Sequence, residues 1–171
     1  MLIAAGLKKL ICVKSLDAIS VSEIAKYCHV SRNTFYYYFK DKNDAVEWII
    51  GTETNALLNS MVEECSCREV LMGLCQYFQE NRQFYQNVLL AENRGGPFTS
   101  FVSCCKMVML RAINATEKAK AMSNEKKRFF SQLYSYALVG AAVDWFNNAA
   151  NPDPTGFVQL VGNVLLEGYV A

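Results

Sequence analysis

Patterned stretches of this chain repeat their apolar positions at intervals of three and four residues, the signature of amphipathic helices. Residues 2–14 are apolar at 3, 7, 10 and 11 with lysines at 8, 9 and 14, which predicts a first helix that Ser15-Leu16-Asp17-Ala18 breaks. Ser20 opens a capping box, S-V-S-E, in which its hydroxyl accepts the Glu23 amide hydrogen and the Glu23 carboxylate returns the bond. The helix is expected to run to about Cys28, with Ile24, Ala25 and Cys28 on one side. Ser31 is the next N-cap, for a helix over roughly 32–38, and His29-Val30 forms the tight link between the two. Asp41 starts a fourth helix, with Ala45, Trp48, Ile49, Thr52, Ala56, Leu57 and Met61 at roughly helical spacing as far as Glu64.

Beyond it, Ser66–Glu69 forms a second capping box ahead of apolar positions 70, 71, 74, 75 and 78. The pattern continues through Phe84, Tyr85, Val88 and Leu89 after a break near Asn81. Asn93-Arg94-Gly95-Gly96-Pro97 reads as a loop. Helices are expected from Phe98 to about Lys118, over about 125–149, and over about 155–169. Asn151-Pro152-Asp153-Pro154 ends the second of these, because proline supplies no amide hydrogen and restricts the residue before it. The fold class is all-α.

Composition narrows the picture. With 171 residues, 52% hydrophobic and 19% charged, the chain can bury a sizeable core and is not of disordered type. Net charge is +1, with +2 in residues 1–50 and −1 in the rest, so bulk charge argues neither for nor against nucleic acid. The best apolar run, Leu133 to Val143, is too short for a membrane span and Asp144 closes it. Seven cysteines, an odd number, follow no recognisable signal peptide and are read as reduced thiols in a cytoplasmic protein. They lack C-x-x-C spacing with histidines, so neither a metal nor a cofactor is expected. His29 is the single histidine; no P-loop, dinucleotide fingerprint or triad is present, and no enzymatic activity is expected.

The residues from Ile19 to Ile49 carry the chemistry. Two short helices joined by a tight turn can present the second to a major groove. With Phe35 and Phe39 turned inward, Arg32, Asn33, Tyr36, Tyr37 and Tyr38 face outward. Arginine suits guanine O6/N7, asparagine suits adenine N6/N7, and tyrosine hydroxyls reach phosphates. Lys42 stands where it can meet a phosphate together with the free amides of the fourth helix. A packed helical corner with surface tyrosines has the same pattern.

The segment resembles the N-terminal domain of TetR/AcrR-type transcriptional regulators, through Val21, Ile24, Ala25, Val30, Ser31, Phe35, Tyr36, Phe39 and Lys42. The stretch FYQNVLLAENRGGPF resembles the short-bodied branch of that family. The resemblance implies a three-helix DNA-binding head over 1–46 and an effector-binding and dimerisation bundle over 47–171. It also implies a homodimer on a double-stranded operator, with DNA contacts from Arg32, Asn33, Thr34, Tyr36, Tyr37, Tyr38 and Lys42. Repression by a ligand-responsive homodimer is the expected mode. Two features depart from the family pattern. His29 stands at a turn position usually held by glycine, and the chain starts almost at its first helix, without the basic arm of many relatives.

For the body, Tyr77, Phe78, Phe84, Tyr85, Phe101 and Met107 line an apolar cavity for an unknown small-molecule effector, or fill solid core. Small residues Ala137, Gly140 and Ala141, with Asp144, Phe157, Val161 and Val164, suit an intersubunit four-helix bundle. Two alternatives compete: a helical adaptor whose body docks a partner protein, and a thiol sensor using Cys65, Cys67, Cys104 and Cys105.

Overall fold

The computed structural model describes residues 2–61, 65–89, 91, 95–115, 117–148, 153–161 and 163. Among them are nine α-helices and no strand: α1 (Leu2–Ile11), α2 (Val21–Tyr27), α3 (Arg32–Tyr38), α4 (Lys42–Ser60), α5 (Cys67–Glu80), α6 (Arg82–Leu89), α7 (Gly95–Asn114), α8 (Asn124–Asn148) and α9 (Pro154–Val161). Short 3-10 turns occupy Leu16–Ala18 and Glu117–Ala121. The all-α expectation holds.

Boundaries differ where position within a helix outweighs composition. The expected loop at 93–97 is the first turn of α7 from Gly95 onward, where Pro97 forfeits no helical hydrogen bond. Asn93 and Arg94 lie outside the described residues, as does most of the expected last helix beyond Val161. The capping box at Ser66 forms in both directions, whereas at Ser20 only the hydroxyl half forms and the Glu23 carboxylate turns to Lys14 instead. The Ser20 hydroxyl accepts from the Glu23 amide at 3.2 Å, and Ser66 and Glu69 exchange bonds at 3.3 and 2.7 Å. Glu23 also pairs with Lys14, and that hydrogen bond, with the lysine charge and the bond at Ser20, holds its carboxyl below the usual range.

Two compact units are present: Met1–Glu53 with Asn81–Phe101, and Thr54–Glu80 with Val102–Ala171. In the first, α1 buries Ile3, Leu7, Leu10 and Ile11, and it packs on α2 and α6. The crossing with α2 needs Gly6, since a Cβ there would overlap the Cys28 sulfur. The α6 residues Phe84, Tyr85, Val88 and Leu89 are buried, and the Asn87 amide donates to the carbonyl of Ile11 at the end of α1 (2.5 Å). Lys8 pairs with Glu53 at 2.7 Å, its ammonium 5.3 Å from the Phe84 ring centre.

The inward stripe of α4 differs from the expected one. Within the first unit it is Ala45, Val46, Ile49 and Ile50, while Trp48 is 42% exposed and Thr52 and Ala56 are exposed. Val46 and Ile50 outcompete Trp48 and Thr52 for the core.

The second unit buries Val70, Leu71, Leu74, Cys75 and Phe78 of α5, Cys104, Cys105, Val108 and Met109 of α7, and Val158 and Val161 of α9. From α8 it takes Ser131, Ser135, Leu138, Val139 and Ala142. The two buried serines stay satisfied by donating to carbonyls three residues back, Arg128 and Gln132, at 2.9 and 2.7 Å. Among the described residues, no helix is long and apolar enough to cross a membrane.

Candidate nucleic-acid interface

The turn between α2 and α3 begins with a closed helix end. The Val30 amide donates to Ala25 O at 2.9 Å and the His29 amide to Lys26 O at 3.2 Å. These are the two bonds of a Schellman cap, in which the residue after the cap must be left-handed. His29 takes that place with φ 54°. A site usually given to glycine is thus held by a residue that tolerates the conformation better than β-branched ones do.

Helix α3 then starts on Ser31, whose hydroxyl accepts from the Thr34 amide at 3.0 Å and bonds the Thr34 hydroxyl at 2.9 Å. Phe35 and Phe39 are buried, with ring centres 5.8 Å apart, and Phe39 meets the Trp48 ring at 6.1 Å. These anchors fix the rotation of α3. Arg32, Asn33, Tyr36, Tyr37 and Tyr38 consequently face outward, Tyr37 at 81% exposure, and Thr34 is half-buried. Tyr37 and Tyr38 meet edge to face at 4.9 Å, so the exposed rings are braced against one another. The exposed face is short, donor-rich and aromatic, suited to base edges and phosphates.

Lys42 does not stand as expected. Its ammonium donates to the carbonyls of Leu16 (2.8 Å), Asp17 (3.1 Å) and Ile19 (2.9 Å), which uses all three of its protons. The helix end beside it is also occupied. The Asp41 carboxylate accepts from the amides of Asn43 and Asp44, at 2.8 and 2.9 Å. Phosphate would meet a carboxylate there rather than open amides. The signal missed in the sequence is the run of carbonyls at a 3-10 turn's end, which attracts a cation.

The six candidate effector residues divide between the two units. Phe84, Tyr85 and Phe101 are solid core of the first unit, with Phe84–Tyr85 and Tyr85–Phe101 ring centres 5.0 and 6.1 Å apart. Tyr77, Phe78 and Met107 belong to the second unit, and Met107 is 47% exposed. A groove of about 470 Å³ between α1 and α4 is walled instead by Ala4, Ala5, Trp48 and Ile49, with Lys8, Glu53 and Cys12 at its polar edge.

Of the candidate interface residues, Ala137, Gly140 and Asp144 are exposed on α8 and Ala141 is half-buried. Val161 turns into its own unit and Phe157 stacks on Trp145 at 4.9 Å, because α9 packs against α5. That corrects Val161 as an interface residue; Val164 lies outside the described residues. Phe129 (63% exposed), Leu133 (50%) and Tyr136 (55%) join Ala137 and Gly140 in one outward stripe, and Leu160 of α9 is 69% exposed.

Cys75, Cys104 and Cys105 fit core packing. Burial pushes Cys75 up to about 12 and Cys104 up to about 11, and lifts Cys105 well above its ordinary value. Such thiols stay protonated and poorly nucleophilic, against a sensing role for Cys104 and Cys105. Cys65 is half-buried, the Cys67 side chain lies outside the described residues, and among the described residues no cluster can hold a metal ion.

An exposed, capped recognition helix set on a Schellman turn defines a helix-turn-helix DNA-binding protein. The sequence pattern of bacterial regulatory proteins of the tetR family matches residues 3–47, and that of a transcriptional regulator C-terminal region matches residues 66–167. The chain belongs to the TetR family of transcriptional regulators. It is 30% identical over 91 residues to the dhaKLM operon transcriptional activator DhaS of Lactococcus lactis, a match spanning 53% of this chain and about half (49%) of that protein. The solved structure of the dihydroxyacetone kinase operon activator DhaS is similar over 98% of this chain and 93% of its own, with TM-score 0.67 and 21% identity. FadR of Thermus thermophilus, a TetR-family repressor solved with lauroyl-CoA, matches at TM-score 0.73 and 14% identity over 99% and 94% of the two chains. The chain is thus a DNA-binding transcriptional regulator.

Proposed function

We propose that this regulator acts in the cytoplasm as a homodimeric, effector-responsive repressor. Two copies of α3 would enter successive major grooves, half-sites lying one helical turn or a multiple of it apart. The observation that carries this reading is the outward set Arg32, Asn33, Tyr36, Tyr37 and Tyr38 on a helix whose rotation Phe35 and Phe39 fix. Arg32 and Asn33 read base edges; Thr34 and the tyrosines meet phosphate, sugar or thymine methyl groups. The functional head is assigned to 1–46 and the body to 47–171.

Dimerisation uses the α8 stripe of Phe129, Leu133, Tyr136, Ala137 and Gly140 as a self-complementary face against a second copy. Gly140 has no heavy atom within 4 Å of a built Cβ, so a partner helix can approach closely. A small molecule binding in the body, near Tyr77 and Phe78, would shift the balance between head spacings, provided its affinity differs between them.

Mobility shift on duplexes enriched from a random pool tests the reading. Retardation as a dimer at low salt is expected; a folded protein that retards no duplex at low salt refutes it. Activation is the second reading, favoured by the DhaS match. A reporter behind the enriched site separates the two, since repression lowers its output and activation raises it.

A further inference from the structure

The three bonds from Lys42 join two parts of the helix-turn-helix unit that the chain separates by more than twenty residues. The acceptors, Leu16, Asp17 and Ile19, lie in and just after the 3-10 turn that delivers the chain to Ser20, the cap of α2. The donor is the first residue of α4. Leu16 and Ile19 are both buried, which fixes the turn's carbonyls in place. An ammonium is also the group that the negative end of a helical turn favours. Between α3 and α4, Phe39 meets the Trp48 ring and the Lys40 amide donates to the Asp44 carboxylate at 2.8 Å, an exposed bond. One ring contact and one exposed hydrogen bond do not set distance as sharply as three hydrogen bonds from one ammonium.

We propose that Lys42 is a positioning residue for DNA recognition: it locks the entry of α2 to the first turn of α4, so that α4 and the reading helix α3 move as one body. This rests on the reading of α3 as the recognition helix. A phosphate-binding lysine and a positioning lysine leave different marks. Losing a phosphate contact weakens binding to all sequences alike and lowers the salt slope by about one. Losing a positioning bond spares the charge contacts but spoils register, so specific binding falls and non-specific binding does not.

The test compares full-length wild type, Lys42→Met and Lys42→Arg on the duplex enriched by the wild type and on a scrambled duplex of equal composition. Measurements run over a salt series, at a temperature where circular dichroism shows all three fully helical. For Lys42→Met we expect about a tenfold fall in affinity for the enriched duplex, the equivalent of one charge-assisted hydrogen bond. Affinity for the scrambled duplex and the salt slope stay unchanged, and Lys42→Arg, which can still donate to the carbonyls, recovers most of the loss. Uniform weakening with a reduced slope would overturn the proposal in favour of a phosphate contact. So would unchanged affinity with only a lower melting temperature, which would make the lysine merely structural.

A second measurement needs no substitution. Nitrogen-15 spectra of the wild-type lysine ammonium groups should show Lys42 protected from solvent exchange, with its signal unmoved when the enriched duplex is added. A coupling to phosphorus on adding DNA would overturn the proposal. Failure of wild type to enrich any duplex would overturn this proposal and the recognition reading together, whereas failure of the proposal alone appears only at Lys42.

Discussion

His29 shows how one residue's backbone sets the presentation of the whole recognition helix. Its φ of 54° closes the Schellman cap of α2 and aims the chain at Ser31. A β-branched side chain there adds a clash that costs about 1–2 kcal/mol in the left-handed region. His29→Val should therefore lower unfolding free energy by about that amount, whereas His29→Gly should hold or raise it; denaturant titration of both variants checks the pair. If valine proved harmless, the turn would be relaxing to another conformation. The same scale corrects Lys42, whose charge suggested a phosphate and whose geometry shows a backbone lock.

Between elements, α1 crosses close over the end of α2 at Gly6. Alanine there would gain roughly 1 kcal/mol of helix propensity but force the Cys28 sulfur aside, and overpacking of this kind costs about 1–3 kcal/mol. Gly6→Ala should be net destabilising, and adding Cys28→Ala should recover part of the loss; simple additivity in the double-mutant cycle would show that the sulfur is not the obstacle. Elements were legible in the sequence where a cap and a one-sided apolar stripe coincide, as in α2, α3 and α5. They were less legible where apolar residues have two masters. On α4, Trp48 and Thr52 keep helical spacing yet lose the core to Val46 and Ile50. On α8, Leu138, Val139 and Ala142 face inward while Phe129, Leu133 and Tyr136 face out. No single stripe emerges from such a helix, and small residues alone pointed to its outer face. Periodicity also cannot say which helix a stripe meets, so Val161 looked available for a partner although it is buried within its own unit.

For the whole molecule, the near-neutral head shifts weight onto assembly. Residues 1–50 carry only +2 and the whole chain +1, so long-range attraction to DNA is weak, and the two heads of the proposed homodimer would gain most of their affinity by acting jointly. The α8 stripe is therefore expected to control DNA binding without touching DNA. Leu133→Glu should convert the dimer to a monomer by sedimentation, retain helicity, and weaken operator binding by at least about a hundredfold through lost avidity. A dimer of unchanged stability would move the interface elsewhere. Val161→Glu makes the contrast, since it should unfold the second unit rather than cleanly dissociate it.

The central claim is that α3 reads base sequence through its first exposed residues, and selection from a random duplex pool by wild type and by Arg32→Ala tests it most directly. The wild type should select a two-fold symmetric consensus, and Arg32→Ala the same consensus with preference lost at one guanine in each half-site, at a cost of about 1–3 kcal/mol per position. Identical consensus sequences from the two proteins, or no consensus from a folded wild-type dimer, would contradict it.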